Sequence, residues 1–202
     1  MHPYSTDLNE RKFIPLILSV ISIIFAWVLN KLLLNNWLNL NCIWWLEAPS
    51  VIGFYTLLYT FFNNKLWSCK FFHKIGLIKI PNLNGVWHGA IISSFDEHSN
   101  KTEATLDIIQ SWSQFQINVN TSDSESRSVS ASILTLESDK LEICYQYINV
   151  PKAHAVNTMH IHRGSANMIY NPKVHSLEGE YFSGRDRQNY GKLIFSQVTD
   201  DN

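Results

Sequence analysis

The chain has 202 residues, with 16 Lys and Arg against 17 Asp and Glu and a hydrophobic content of 46%. The formal net charge is −1, and the 14 Asp and Glu against nine Lys and Arg of residues 80–202 argue against the broad basic face that long nucleic acid needs for nonspecific binding. Cys42, Cys69 and Cys144 are odd in number and far apart, which excludes a disulfide framework or zinc cluster and reads as free thiols in a reducing compartment.

The near-neutral total hides an asymmetry. Residues 1–79 carry seven Lys/Arg and three Asp/Glu, a net +4, whereas residues 80–202 carry nine and fourteen, a net −5. Leu, Ile, Phe and Trp crowd the first part, and Ser, Thr, Asn, Gln and Glu in short alternating runs fill the second. Two segments are predicted: 1–79, a transmembrane helical hairpin with a basic linker, and 80–202, a soluble all-β domain.

No residue between Phe13 and Leu29 is charged, and Leu32, Leu33 and Leu34 extend the run past Asn30 and Lys31. A helix over about 13–34, from Phe13 to Leu34, reaches the length that about 30 Å of hydrocarbon requires. A second helix is predicted over about 42–62, from Cys42 to Phe62, with Trp37, Trp44 and Trp45 at one end and Tyr59 and Trp67 near the other, as in interfacial aromatic belts. Glu47, close to Trp44, Trp45 and Pro49, reads as an interfacial carboxylate rather than one buried in hydrocarbon. Arg11 and Lys12 precede the first run and Lys65, Lys70, Lys74 and Lys79 follow the second, so both termini are expected in the cytoplasm of an inner-membrane protein. A cleaved signal peptide is the rival reading of the first run, but no small-residue cleavage site follows it.

After Pro81 the apolar period becomes two. Strands are predicted at about 85–94, 102–110, 112–119, 128–137, 141–148, 157–170 with a kink at Gly164, 176–183 and 190–198. The alternation is clearest in Phe115-Ile117-Val119 and in Leu141-Ile143-Tyr145-Tyr147. With no substantial helix past residue 80, the sheet must be antiparallel. Eight meandering strands in this length favour an up-and-down barrel, lipocalin-like in architecture, that encloses one small ligand; a β-sandwich is the alternative.

Motifs for nucleophilic or metal catalysis are missing, so no catalytic residue, cofactor or resident metal is assigned and an enzyme is not expected. His160 and His162 share a strand face and with His154 or His175 could approach a zinc site, but carboxylate and cysteine partners are lacking. Asp96, Glu103, Asp107, Glu178 and Glu180 read as solvated. More suggestive is Tyr181 through Lys192, where aromatic rings and Arg185, Arg187 and Lys192 surround the last hairpin. Guanidinium groups suit bidentate phosphate contacts and stacking on flat rings. The plainer reading is a charged surface hairpin.

Two membrane helices, then Pro81-Asn-Leu-Asn-Gly85-Val-Trp87-His-Gly89, then His162-Arg-Gly164 and Leu177-Glu-Gly179-Glu-Tyr181-Phe-Ser-Gly-Arg185 through Gly191-Lys-Leu193 resemble the two-transmembrane, β-strand-rich effector family of bacterial cyclic-oligonucleotide anti-phage signalling. The resemblance implies a cytosolic barrel that binds a cyclic dinucleotide made by a partner nucleotidyltransferase. Helix oligomerisation, membrane disruption and abortive infection would follow. It places Arg185 and Arg187 at phosphate and Tyr181, Tyr145 and Trp87 against rings, with Lys192, His160 and His162 as weaker candidates. A membrane-tethered binder of an apolar ligand is the alternative.

Overall fold

The computed structural model describes residues 1–31, 44–136, 140–185 and 187–197. It divides into two compact units, Leu8–Pro81 and a unit made of Met1–Asp7 with Asn82–Asn202. The first seven residues, expected to lead into the helical hairpin, run in the β unit instead.

In the helical unit, α1 spans Glu10–Val28 and α2 spans Trp44–Asn64; a short α3, Lys70–Lys74, follows. Among the described residues one helical stretch, Glu10–Lys31, is long and apolar enough to cross a membrane. The described α2 begins at Trp44, and Tyr55, Tyr59, Thr56 and Asn63 dilute its apolar content. Phe13 is an exposed apolar side chain of α1 and Phe62 a buried one of α2, whereas Leu34 and Cys42 lie outside the described residues, as does the side chain of Glu47. The rings of Phe25 and Phe54 approach to 5.9 Å. Ser19 and Ser22 donate back to the carbonyls of Pro15 and Leu18 in their own helix.

The β unit has nine strands: β1 His2–Thr6, β2 Gly85–Ser93, β3 Lys101–Gln110, β4 Gln114–Thr121, β5 Ser124–Thr135, β6 Leu141–Pro151, β7 His162–Asn171, β8 Ser176–Ser183 and β9 Tyr190–Ser196. Strands β2 to β9 pair antiparallel in sequence order and β9 returns to β2, so the sheet closes on itself. The count of eight was one short because β1 lies at the β4–β5 seam, antiparallel to β4 and parallel to β5. Its His-Pro-Tyr-Ser-Thr buries only Tyr4, too little alternation to read as a strand. Residues 157–161, predicted as strand, are turn and coil, and β5 begins at Ser124 rather than 128. There the polar Ser124 and Ser128 point inward, so a period-two apolar pattern is missing although the backbone is extended.

Inward side chains change character along the barrel axis. At the end where β2 starts and β9 finishes, Trp87, Trp112, Phe115, Leu177 and Phe195 are buried to 2% exposure or less. Burying a Phe or Leu fully contributes about 1.5–3 kcal/mol, so this end forms the core. Along β6 the inward series runs Leu141, Ile143, Tyr145, Tyr147, Asn149, from apolar to polar within one strand. The barrel is therefore plugged at one end and polar-lined at the other.

Candidate functional site

The polar end holds a cavity of about 220 Å³, lined from all eight strands β2 to β9 and from the turns beyond them. Three tyrosines supply its rings. Tyr145 and Tyr147 stand two residues apart on one face of β6 with ring centroids 6.2 Å apart, and Tyr181 reaches in from β8, its hydroxyl donating to Ser93 Oγ at 2.8 Å. Two glycines permit close packing here: a methyl group at Gly164 would collide with the Phe182 carbonyl and the Tyr147 ring, and one at Gly191 with the Ile92 carbonyl and then the Tyr181 ring. Burial holds all three phenols protonated, pushing Tyr147 up to about 12 and raising Tyr145 and Tyr181.

Arg187 supplies the one full cation among the described lining residues. It leaves the β8–β9 hairpin and stacks on Phe95, its guanidinium carbon 5.1 Å from the ring centroid, an attractive geometry for a cation over a π face. With its oxygen turned to the guanidinium, the Asn189 amide accepts from Arg187 Nε at 2.8 Å and donates to the Arg187 carbonyl at 3.1 Å. The Arg187 charge also helps to lower the pKa values of Tyr147 and Tyr181 against burial. His162 completes the group. Its Nδ1 donates to the His160 carbonyl at 2.9 Å, leaving Nε2 as the acceptor of the neutral ring. Burial first, and Arg187 as well, depress its pKa below 6.5.

Asp96 and Asp123 also line the cavity. Asp96 Oδ2 accepts from the Asn100 amide at 3.0 Å, and Asp123 Oδ1 meets His154 Nε2 at 3.2 Å. Among the described lining residues an anion entering here meets full positive charge only at Arg187, to which His162 adds when protonated. Among the described residues no group of three or more His, Cys, Asp or Glu is placed to hold a metal ion.

Of the residues singled out from sequence, the structure brings Arg187, Tyr181, Tyr145 and His162 together around this cavity. The others lie elsewhere. Trp87 is in the plugged end, donating from Nε1 to the Leu83 carbonyl and meeting Tyr170 edge-on at 6.1 Å. Arg185 and His160 are exposed and outside the lining, and Lys192 is exposed on the outer face of β9, paired in register with Glu180. Phe95, Asp96, Tyr147, Asn149 and Asn189 line the cavity and were missed as ligand-site candidates. Tyr147 was legible, two residues from Tyr145 in a recognised alternation. Phe95 and Asp96 sit in a turn after β2, and only the closure of β9 onto β2 brings them to Arg187.

Residues 78–197 match the family described as Cap15, cyclic dinucleotide receptor domain. CD-NTase-associated protein 15 of Yersinia aleksiciae is 31% identical over 147 residues, covering 72% of this chain and 68% of that protein. The matched span contains the whole of the cavity lining.

Proposed function

This chain belongs to the Cap15 cyclic dinucleotide receptor family, as an effector of cyclic-oligonucleotide-based anti-phage signalling, and from that premise we propose that the polar end of its barrel is the receptor site. The observation that carries this reading is Arg187, held between Phe95 and Asn189 at a tyrosine-lined cavity inside the matched span. A guanidinium held in place loses less freedom when it engages a phosphodiester. His162 Nε2, once protonated, adds a second donor. Tyr145, Tyr147 and Tyr181 offer faces for the bases, since base stacking on aromatic rings tolerates any base. The ligand comes from a partner nucleotidyltransferase, and the protein works as a receptor rather than an enzyme.

The apolar stretch Glu10–Lys31 anchors the chain in the inner membrane, and α2 crosses with it as the second arm of a hairpin. Basic residues flanking the pair keep both termini in the cytoplasm, where the nucleotide is made. Ligand binding shifts the population toward an oligomer of these helices, which disrupts the membrane and kills the infected cell. Reconstitution into dye-loaded anionic vesicles tests this reading. Release on addition of a 3′,3′-cyclic dinucleotide, and none from vesicles holding Arg187→Gln, is expected; release without nucleotide would overturn it.

A further inference from the structure

The family description names a ligand of two nucleotides. At about 220 Å³ the cavity falls below the roughly 300–1,000 Å³ typical of sites for drug-sized ligands. Seating such a ligand wholly inside the lumen would need the barrel to widen. Barrels open where their strands are held least.

That place is the β4–β5 seam. Every other neighbouring pair from β2 around to β9 is matched over at least six residues, but β4 and β5 pair directly only at Asn118–Arg127, Val119–Ser126 and Asn120–Glu125. Beyond these, β5 bulges between Ser128 and Ser130, and Ser128 Oγ accepts from the Ile117 amide at 2.9 Å in place of a main-chain bond. The two strands then diverge, and β1 fills the gap. Val119, Thr121, Ser124 and Ser126 on these same strands line the cavity, so ligand and β1 act on opposite ends of one short seam.

The attachment of β1 is specific but small. His2 Nε2 hydrogen-bonds Ser128 Oγ at 2.8 Å, and the Tyr4 hydroxyl donates to the Trp112 carbonyl at 3.0 Å. The Asp7 carboxylate accepts from the Thr135 amide at 3.0 Å and from its hydroxyl at 2.5 Å. Only Leu8 and Asn9 separate this clamp from Glu10, the first residue of the apolar helix α1.

We propose that β1 is a releasable staple on the β4–β5 seam, and that a ligand opening the seam frees β1 and, through Leu8–Asn9, the helix behind it. This rests on the receptor reading above and adds the route by which the barrel reports to the membrane. Linkage makes the coupling reciprocal. If ligand expels β1, holding β1 in place weakens ligand binding, and loosening it strengthens binding.

Pro3 and Gln114 are antiparallel partners and both exposed. Antiparallel partners lie about 4.5–5.5 Å apart at Cα, within reach of a disulfide. Pro3→Cys/Gln114→Cys, in a full chain whose own cysteines are changed to Ser, gives one protein that is stapled when oxidised and free when reduced. Its affinity is measured in nanodiscs for 3′,3′-cyclic dinucleotides of every base pair drawn from A, G, C and U. The oxidised form is expected to bind at least about fivefold more weakly, at the low end of ordinary allosteric coupling, and Asp7→Ala to bind more tightly than the unmodified chain. Equal affinity in the two redox forms, or no gain from Asp7→Ala, overturns the staple while leaving the receptor reading intact. Failure of either form and of the unmodified chain to bind any of the nucleotides overturns the receptor reading and the staple with it.

Discussion

Arg187 and Phe95 come from turns far apart in sequence, yet the guanidinium sits over the ring at 5.1 Å, and the contact ties the β8–β9 hairpin to the turn after β2. The same two segments are joined again where the Tyr190 amide donates to Ser94 Oγ at 3.1 Å. The cation is thus set at the cavity before any ligand arrives. Because Phe95 is largely exposed, the pair is expected to contribute at the low end of cation–π strength, about 0.5–1 kcal/mol. Phe95→Leu should weaken nucleotide binding by two- to fivefold on that scale, about 1.4 kcal/mol being tenfold, and Phe95→Trp should preserve it. Isothermal titration of both variants checks this.

Arg185 and Arg187 are two residues apart, but Arg187 lines the cavity and Arg185 is exposed outside its lining. Arg187→Glu puts a carboxylate against the phosphodiester and removes a charged hydrogen bond of about 1.5–3 kcal/mol, so affinity should fall at least about tenfold. Arg185→Glu should bind within about twofold of the parent chain, since an exposed rim charge contributes little to affinity. A large loss from Arg185→Glu with none from Arg187→Glu, read by titration, would reverse the assignment.

The pH dependence of binding should report His162. In the free protein burial, and then the Arg187 charge, hold its pKa below 6.5, so at neutral pH the ring is uncharged. A bound phosphodiester favours the imidazolium and raises that pKa. Binding therefore takes up a proton, and affinity should increase as pH falls through the ordinary histidine value, by at most about tenfold per pH unit for one proton. His162→Gln should flatten the profile between pH 7 and 5.5. An unchanged slope in that variant would assign the proton to another group.

Trp87 tests the division of the barrel into plug and receptor. Its indole is 1% exposed and hydrogen-bonded to Leu83. Trp87→Phe should lower unfolding stability by roughly 1–3 kcal/mol, through lost volume and an orphaned carbonyl. Denaturant unfolding gives that value, and nucleotide affinity of the folded variant should remain within twofold.

The sequence showed the change of solvent near residue 80 because hydropathy and charge both shift there, and it showed the meander because apolar residues recur at every second position in β4 and β6. Gly164 lies in β7 where a methyl group would collide with the Phe182 carbonyl and the Tyr147 ring, a close approach that local sequence does not signal. What could not be read is everything that depends on closure. β1 carries one buried side chain in five, so its place on the seam has no local signal. Trp87 and Tyr181 look alike in sequence, each an aromatic residue near glycines on a strand, and they lie at opposite ends of the lumen. Arg187 was named for its chemistry, but its choice over Arg185 follows only from which of the two lines the cavity.

The most direct test is calorimetric titration of the full chain in nanodiscs with the same panel of 3′,3′-cyclic dinucleotides, alongside Arg187→Gln. The account predicts saturable binding of one nucleotide per barrel and an affinity at least about tenfold weaker in the variant, the loss of one charged hydrogen bond. Equal binding by both proteins would contradict it, as would heat that never saturates with any nucleotide.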